Sequence, residues 1–369
     1  MTQVIDADVH QSWPSQQALL PYLSSAWKEY VTTPGAKGNT PVTVSERFNR
    51  PYEGRVQRED GARAAATVED IRDSVLRENT DLAILTHSEL RSINGLRNPH
   101  YALEVARAAN EWTANEWLSR DRRLGGSVLI ATAIPEQAAA EIRRAGQNPQ
   151  MLQVLISGNS LGQAYGHPVY EPIYAAAAEM GLPVMIHAGA TGGLNPPPAG
   201  GGLINYYAEY AAMANQQLMT HLASLLISGF LDKYPELRII LAGAGFGWVP
   251  ALLWRLDVDY RGCRPEVPWM KRLPSEYFYE RISVTTHPLD AAPSRDAFRE
   301  LLDCFDSEDF LLYGSGYPDS DLDTPDAIRE SLPVGSVGAV LSGNARRVYS
   351  RIDALFAEAQ NLKTAPGGH

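Results

Sequence analysis

The chain contains 369 residues, of which 44% are apolar and 20% are charged, and its formal net charge is −11. This composition is typical of a globular protein, and the acidic balance argues against general binding to nucleic acids or anionic membranes. The apolar runs are too short to span a membrane, and no basic and apolar leader is recognisable at the start. Cys263 and Cys304 are too few for a disulfide scaffold and form no C-x-x-C pair, so we expect a cytoplasmic protein without a thiolate zinc cluster.

Short segments that are almost continuously apolar recur along the chain and predict β-strands that are covered on both faces. They lie at residues 4–10, 82–87, 125–131, 152–157, 183–188, 238–241, 281–286 and 310–313. Between them, apolar residues spaced three or four apart predict helices. These helices are expected at residues 101–120, 136–145, 171–179, 207–227, 250–258 and 294–302.

Eight strands that alternate with helices predict an α/β fold, a single (β/α)8 TIM barrel made of residues 1–369. A doubly wound open sheet is the alternative, but no G-x-G-x-x-G motif follows the first strand. Two segments do not fit the repeating pattern. Residues 36–65 are expected to form an insertion over the barrel mouth, and residues 191–202 a Gly- and Pro-rich loop after strand 5.

In such a barrel the catalytic groups lie at the carboxyl ends of the strands, and several histidines fall there. Asp8 and His10 end the first strand and share one face because the strand period is two. His187 ends the fifth strand, and together the three residues offer nitrogen and oxygen ligands that suit Zn²⁺ or Mn²⁺.

Each of these residues also has a structural interpretation, since a histidine at a strand end is often only hydrogen-bonded. His87 ends the second strand, and with His167 it is expected to hold a loop or substrate rather than a metal. His287 follows the seventh strand and is a further candidate at the same rim. Asp6 lies lower on the face of Asp8 and is interpreted as a buried, hydrogen-bonded carboxylate.

Over residues 4–350 the chain resembles the amidohydrolase-related branch of the amidohydrolase superfamily, which includes the aminocarboxymuconate-semialdehyde and resorcylate decarboxylases. The resemblance rests on the order and spacing of several stretches. They are IDADVH, GHPVYEPIYAAAAEMGLPVMIHAG, THLASLLISGFLDKYPELRIIL, GFGWVPALLWRLD, PSEYFYERISVTTHP, LLYGSGYPDSDLDTP and GNARRVY.

The resemblance implies one divalent metal, Zn or Mn, with Asp8, His10 and His187 in the positions of its ligands. His221 matches a histidine that lies beside substrate or metal in the decarboxylases. Substrates of the family are often small aromatic or unsaturated carboxylates, and a homodimer is implied. In GNARRVY, we expect Asn344 to help close the barrel and to serve as a helix N-cap.

The chain departs from the family pattern at two strand ends. The usual eighth-strand motif is G-S-D-Y-P-H, and Gly316 here replaces its metal-binding, proton-handling aspartate. After the sixth strand, Gly243 lies where the family carries Glu or His. His287 stands where relatives commonly have Gln.

Without this aspartate, the sequence leaves open which residue takes its role in metal binding and proton transfer. His221 or His287 is a candidate fourth ligand or base, and Asp319 or Asp321 is a candidate substitute carboxylate, provided that the chain bends back to the rim.

Three functions remain open at this point. The first is an enzyme that performs metal-assisted hydrolysis or non-oxidative decarboxylation of a small substrate, with catalytic roles for His187, His221, His287 and Asp319. The second is a metal-free acid–base enzyme that carries out a cyclisation, elimination or rearrangement in the same pocket. The third is a non-catalytic barrel that binds a ligand or a partner subunit.

Overall fold

The structure is a computed structural model that describes residues 3–33, 61, 63–77, 80–88, 90–160, 162–189, 206–290, 292–319 and 321–357. The predicted loop at residues 191–202 lies outside the described residues, and so does nearly all of the predicted insertion at residues 36–65. The division of the chain into one domain with these two additions stays a prediction.

Eight parallel strands form one sheet in the order in which they follow along the chain. They are β1 (Ile5–Gln11), β2 (Leu82–His87), β3 (Leu124–Leu129), β4 (Met151–Ser157), β5 (Val184–His187), β6 (Ile239–Ala242), β7 (Ile282–Thr285) and β8 (Leu311–Leu312). Backbone hydrogen bonds join the last strand to the first, because the Ala7 N–H donates to the Tyr313 carbonyl at 2.8 Å and the His10 N–H donates to the Tyr317 carbonyl at 2.7 Å. The predicted (β/α)8 barrel is therefore confirmed.

Helices follow the strands and cover the outside of the barrel. They are α1 (Ser25–Thr32), α2 (Val68–Ile71), α3 (Pro99–Thr113), α4 (Pro135–Ala145), α5 (Glu171–Met180), α6 (Tyr207–Ala212), α7 (Ala214–Ile227), α8 (Phe230–Lys233), α9 (Val249–Cys263), α10 (Pro274–Arg281), α11 (Arg295–Leu302), α12 (Pro325–Ser331), α13 (Val334–Gly338) and α14 (Asn344–Val348). Short 3₁₀ turns lie at Gln16–Tyr22, Leu90–Gly95, Pro168–Tyr170 and Arg264–Glu266, and π-helical turns lie at Arg72–Leu76, Ala114–Leu118 and Ala339–Gly343.

Each predicted strand is present within two residues of its predicted bounds, and every residue of every strand is buried. Burial on both faces is what the continuous apolar runs required. The single helix predicted at residues 207–227 is wrong, because the backbone leaves helical geometry at Met213 (φ −101°, ψ 8°) and separates α6 from α7. The sequence pattern did not predict helices α1, α2, α8, α10, α12 and α13.

The N-cap role predicted for Asn344 is also wrong. The π-helical turn Ala339–Gly343 leads directly into α14, so the Asn344 backbone is already helical (φ −67°, ψ −41°). Its side-chain amide instead donates to the carbonyls of Glu308 at 3.0 Å and Leu311 at 2.8 Å. Asn344 thus ties the chain after the barrel to β8, as its predicted role in closing the barrel requires.

Within the described part of the chain, no helix combines the length and the apolar character that crossing a membrane requires.

Candidate active site

Asp8, His10 and His187 meet at the carboxyl ends of β1 and β5. The Nε2 atom of His10 lies 3.1 Å from Oδ1 of Asp8, and Nε2 of His187 lies 3.0 Å from Oδ2. The two Nε2 atoms are 3.2 Å apart, and all three side chains are buried. Every candidate ligand atom lies within 4.8 Å of the others, so the three predicted metal ligands do converge.

The hydrogen bonds behind this cluster leave its centre rich in lone pairs. His187 Nδ1 lies 2.7 Å from the Ala188 carbonyl oxygen, which can only accept, so Nδ1 carries the proton. The Nε2 of neutral His187 is then an acceptor that faces a carboxylate oxygen of Asp8. Two acceptors 3.0 Å apart repel each other unless a proton or a metal ion lies between them, so the same donor set that binds a proton also fits a bound metal ion.

Asp8 is the anionic member of the cluster. Burial alone would raise the pKa of its carboxyl, but His187 and His10 outweigh burial and hold the pKa well below its usual range. The Thr86 hydroxyl at the end of β2 donates to Oδ1 of Asp8 at 2.9 Å. The carboxylate is thus charged and fixed in orientation before any ligand arrives.

Asp319 approaches the cluster from behind His10. Its Oδ2 lies 3.3 Å from His10 Nδ1, on the side of the ring opposite the cluster. The bend that would bring this carboxylate back to the rim is present, since the Asp319 N–H donates to the Gly316 carbonyl at 2.8 Å. A carboxylate behind a metal-ligating histidine orients the ring and raises its basicity. Asp321, the other candidate carboxylate, is exposed.

His287 lies against Gly316. A Cβ atom built on Gly316 would stand 2.6 Å from Cε1 of His287 and closer still to Cδ2 and Nε2. On its other side, His287 Nδ1 lies 3.2 Å from Oδ2 of Asp323. The structure thus pairs His287 with a carboxylate, although neither residue belongs to the three-residue ligand group found among the described residues.

His221 on α7 is held between backbone groups. Its Nε2 donates to the Gly158 carbonyl at 2.7 Å, and its Nδ1 accepts from the Tyr165 N–H at 3.3 Å. Burial lowers the pKa of His221 to about 4, so it is neutral at pH 7. These contacts join α7 to the chain that follows β4.

The remaining candidates have structural partners. Asp6 is buried, and its Oδ1 accepts the N–H groups of Asp8 at 3.1 Å and Ser315 at 2.9 Å, while burial raises its pKa to about 6. His87 is buried beside Gln11, whose amide lies 3.1 Å from His87 Nδ1, and burial lowers the pKa of His87 to about 3. The exposed ring of His167 accepts the Val169 N–H at 3.2 Å and so holds a turn, one of the two roles expected of it.

Sequence reasoning missed two residues that support the site. Thr86 is a polar residue near the carboxyl end of the otherwise apolar run LAILTH. That position could have identified it as a candidate site residue. Asp323 is the third aspartate in the segment DSDLDTP, after Asp319 and Asp321. No sequence pattern distinguishes it from the other two as a partner of the site. Only the path of the chain after β8 brings Asp323 to His287.

Comparison with known proteins shows the family to which this chain belongs. Residues 5–351 match the family model described as amidohydrolase. The chain is 26% identical over 234 residues to a gamma-resorcylate decarboxylase of Rhodococcus jostii, which covers 59% of this chain and 69% of that enzyme. It is 24% identical over 272 residues to the gamma-resorcylate decarboxylase of a Rhizobium species, which covers 70% of this chain and 80% of that enzyme.

Solved structures show the same fold. The 5-carboxyvanillate decarboxylase of Sphingomonas paucimobilis superposes with a TM-score of 0.65 at 20% identity, covering 95% of this chain and 99% of that one. A dihydroxybenzoic acid decarboxylase of Polaromonas, solved with bound manganese and the inhibitor 2-nitroresorcinol, gives 0.62 at 20% identity and covers 99% and 98%. Because the family model spans nearly the whole chain, from β1 to beyond α14, the protein belongs to the amidohydrolase family.

Proposed function

We propose that this protein is a metal-dependent carboxy-lyase that removes CO₂ from a hydroxylated aromatic carboxylate without oxidation. The observation that carries the proposal is the lone-pair-rich cluster of Asp8, His10 and His187 at the barrel rim. The gamma-resorcylate decarboxylases that the chain resembles support the choice of decarboxylation over hydrolysis, which the same kind of site can also perform.

Asp8, His10 and His187 would hold one divalent ion, Zn²⁺ or Mn²⁺. When bound, the ion would polarise a carboxylate or phenolate oxygen of the substrate. Three protein ligands leave coordination positions open, which is typical of catalytic rather than structural sites. The chain's own contribution is to hold these ligands ready: Thr86 fixes Asp8, Asp319 lies behind His10, and the Ala188 carbonyl fixes the tautomer of His187.

Decarboxylation replaces the carboxylate of the substrate by hydrogen. A group of the protein must therefore deliver a proton to the ring carbon that carries the carboxylate. His221, His187, His287 and Asp319 are the candidates from the sequence. His187 is taken up by its ligand role, and both ring nitrogens of His221 already bind backbone groups, which favours a structural role for His221. Asp319 lies behind His10, on the side of the ring opposite the cluster, so His287 remains as the best placed proton-transfer group.

The test is to load the purified protein with Mn²⁺ or Zn²⁺, count bound metal by elemental analysis, and measure CO₂ release from 2,6-dihydroxybenzoate and related hydroxybenzoates. We expect close to one ion per chain and turnover that a chelator abolishes. Asp8→Asn and His187→Gln should lower metal content and turnover together. A folded protein that takes up neither ion and releases no CO₂ would contradict the proposal.

The metal-free acid–base enzyme is the second candidate, and Gly316 is the observation that favours it. The family's proton-handling carboxylate is missing there, and a histidine paired with a carboxylate lies in its place. This candidate predicts turnover that resists chelators and survives Asp8→Asn.

We also propose a cytoplasmic homodimer. The free thiols of Cys263 and Cys304 support a reducing compartment. Trp254 and Val258, one turn apart on α9, are 57% and 58% exposed and form an apolar surface suited to a second copy. Analytical ultracentrifugation should find a dimer that Trp254→Glu weakens, and cell fractionation should find the protein in the cytosol.

A further inference from the structure

The His287 ring fills the volume that a side chain at position 316 would occupy. A Cβ atom at position 316 would overlap Cδ2, Nε2 and Cε1 of His287, all far inside the separation of non-bonded carbon atoms. Gly316 also has φ +69°, a conformation that disfavours most side chains. A side chain at position 316 and the His287 imidazole in this orientation therefore exclude each other. The imidazole occupies the space of the missing carboxylate.

Asp323 fixes the orientation of this imidazole. Its Oδ2 lies 3.2 Å from His287 Nδ1 and accepts the Leu289 N–H at 2.9 Å. Its backbone is held as well, since the Asp323 N–H donates to the Ser315 carbonyl and its own carbonyl accepts the Tyr313 hydroxyl, each at 2.9 Å. With Nδ1 turned to Asp323, the other nitrogen, Nε2, is the one turned to Gly316.

The Gly316 backbone lies directly beside the metal-ligand strand. Its N–H donates to the Asp8 carbonyl at 3.0 Å. His287 therefore lies against Gly316, a residue whose backbone is hydrogen-bonded to that of Asp8, yet it stays outside the group of three candidate ligands that converge within 4.8 Å. An imidazole that is not one of the candidate metal ligands keeps its Nε2 for proton exchange with a substrate.

We propose that the His287–Asp323 pair replaces the lost aspartate of the family as the proton donor to the substrate ring, an inference that rests on the proposed decarboxylation. Protonated His287 gives its Nε2 proton to the ring carbon that bears the carboxylate. The bond between that carbon and the carboxylate then breaks, CO₂ leaves, and its electron pair restores the aromatic ring. Neutral His287 takes a proton from water, so one proton is consumed for each CO₂ released.

The test measures turnover and, separately, proton transfer to the aromatic ring. The protein, loaded with Mn²⁺, is incubated with 2,6-dihydroxybenzoate for CO₂ release. Separately it is incubated with 1,3-dihydroxybenzene in D₂O, where NMR measures deuterium uptake at the ring carbon between the hydroxyls. Deuterium uptake reports proton transfer alone, without CO₂. Elemental analysis gives the metal content of every variant.

His287→Gln keeps a donor toward Asp323 but cannot transfer a proton. We expect it to lower kcat and deuterium uptake together, by about 10²-fold or more, with metal content unchanged. Asp323→Asn keeps an oxygen that can accept the Leu289 N–H but removes the carboxylate charge paired with His287, and it should lower kcat by about tenfold at unchanged KM. His100→Gln, at an exposed histidine at the start of α3, is the matched control and should change neither rate.

A double variant distinguishes the loss of a proton donor from a general loss of folding. His287→Gly/Gly316→Asp returns a carboxylate to the space vacated by the ring, and it should exceed His287→Gly alone in deuterium uptake by about tenfold. If wild type is active and His287→Gln matches it in both rates, or loses metal together with its activity, the inference is overturned while the decarboxylase stands. If metal-loaded wild type shows neither CO₂ release nor deuterium uptake, the proposed function itself fails.

Discussion

The imidazole of His187 lies directly over Gly243. A Cβ atom at position 243 would stand 2.5 Å from Cε1 and 3.0 Å from Nδ1 of that ring, and Gly243 has φ +79°. The residue that departs from the family pattern after β6 is therefore the one that lets the His187 ring reach Asp8.

Gly243→Ala should push His187 away from the cluster. We expect metal affinity to fall about 10–100-fold, as when a group that positions a ligand is lost, and stability to fall by about 1–3 kcal/mol through overpacking. Isothermal titration with Mn²⁺ and chemical denaturation measure the two effects. Gly162→Ala is the matched control, since Gly162 has φ +99° but nothing within 4 Å of its Cβ position. Equal losses of metal affinity in both variants would refute the steric argument.

Asp319→Asn should weaken metal binding through His10. The carboxylate 3.3 Å from His10 Nδ1 raises the basicity of the ring, and an amide does so far less. We expect a loss of about 10–100-fold in metal affinity with the fold unchanged. Asp321→Asn, two residues away and exposed, should leave the affinity as it is. Competition titration against a fluorescent chelator compares the two, and equal affinities would show that Asp319 does not support His10.

His221 should make the protein sensitive to acid. Burial lowers its folded-state pKa to about 4 from an ordinary value of 6.5, so below pH 6.5 the unfolded chain binds a proton that the folded chain refuses. Its contribution to stability is complete above pH 6.5 and is lost as pH falls toward about 4. At roughly 1.4 kcal/mol per pKa unit, the loss is about 3 kcal/mol.

Urea denaturation between pH 4 and 7.5 measures this loss when wild type is compared with His221→Gln. The Gln amide can still donate to the Gly158 carbonyl but does not titrate, so the variant should lose less stability across that window. Parallel curves for the two proteins would show that His221 is not the group that titrates.

Thr86→Val should loosen Asp8. The lost hydroxyl donates to a buried carboxylate, and such hydrogen bonds contribute about 1.5–3 kcal/mol. We expect the free energy of unfolding to fall by that amount and metal affinity to fall with it. Thr86→Ser keeps the hydroxyl and should restore most of the metal affinity. A serine variant as weak as the valine variant would assign the effect to packing of the Thr86 methyl group.

Local patterns predicted most of the framework. Strands that are buried on both faces are mostly apolar, so the bounds of β2, for example, follow from the run LAILTH. The patterns failed where tertiary contacts override local preference. The side chain of Asn344 bonds to carbonyls more than 30 residues away instead of capping its own helix, and no local pattern records that distance.

The sequence by itself determined the barrel and the convergence of Asp8, His10 and His187, because strand period and strand ends place these residues at one rim, and it showed glycine where the family pattern has the eighth-strand carboxylate. Only the tertiary structure decided what the other polar residues do. His221 and His287 are the same residue type near the same rim, yet backbone groups occupy both nitrogens of one, while Asp323 orients the other toward Gly316. The physical reason is that a histidine's role depends on the partners of its two nitrogens, and the chain brings those partners from 30 or more residues away.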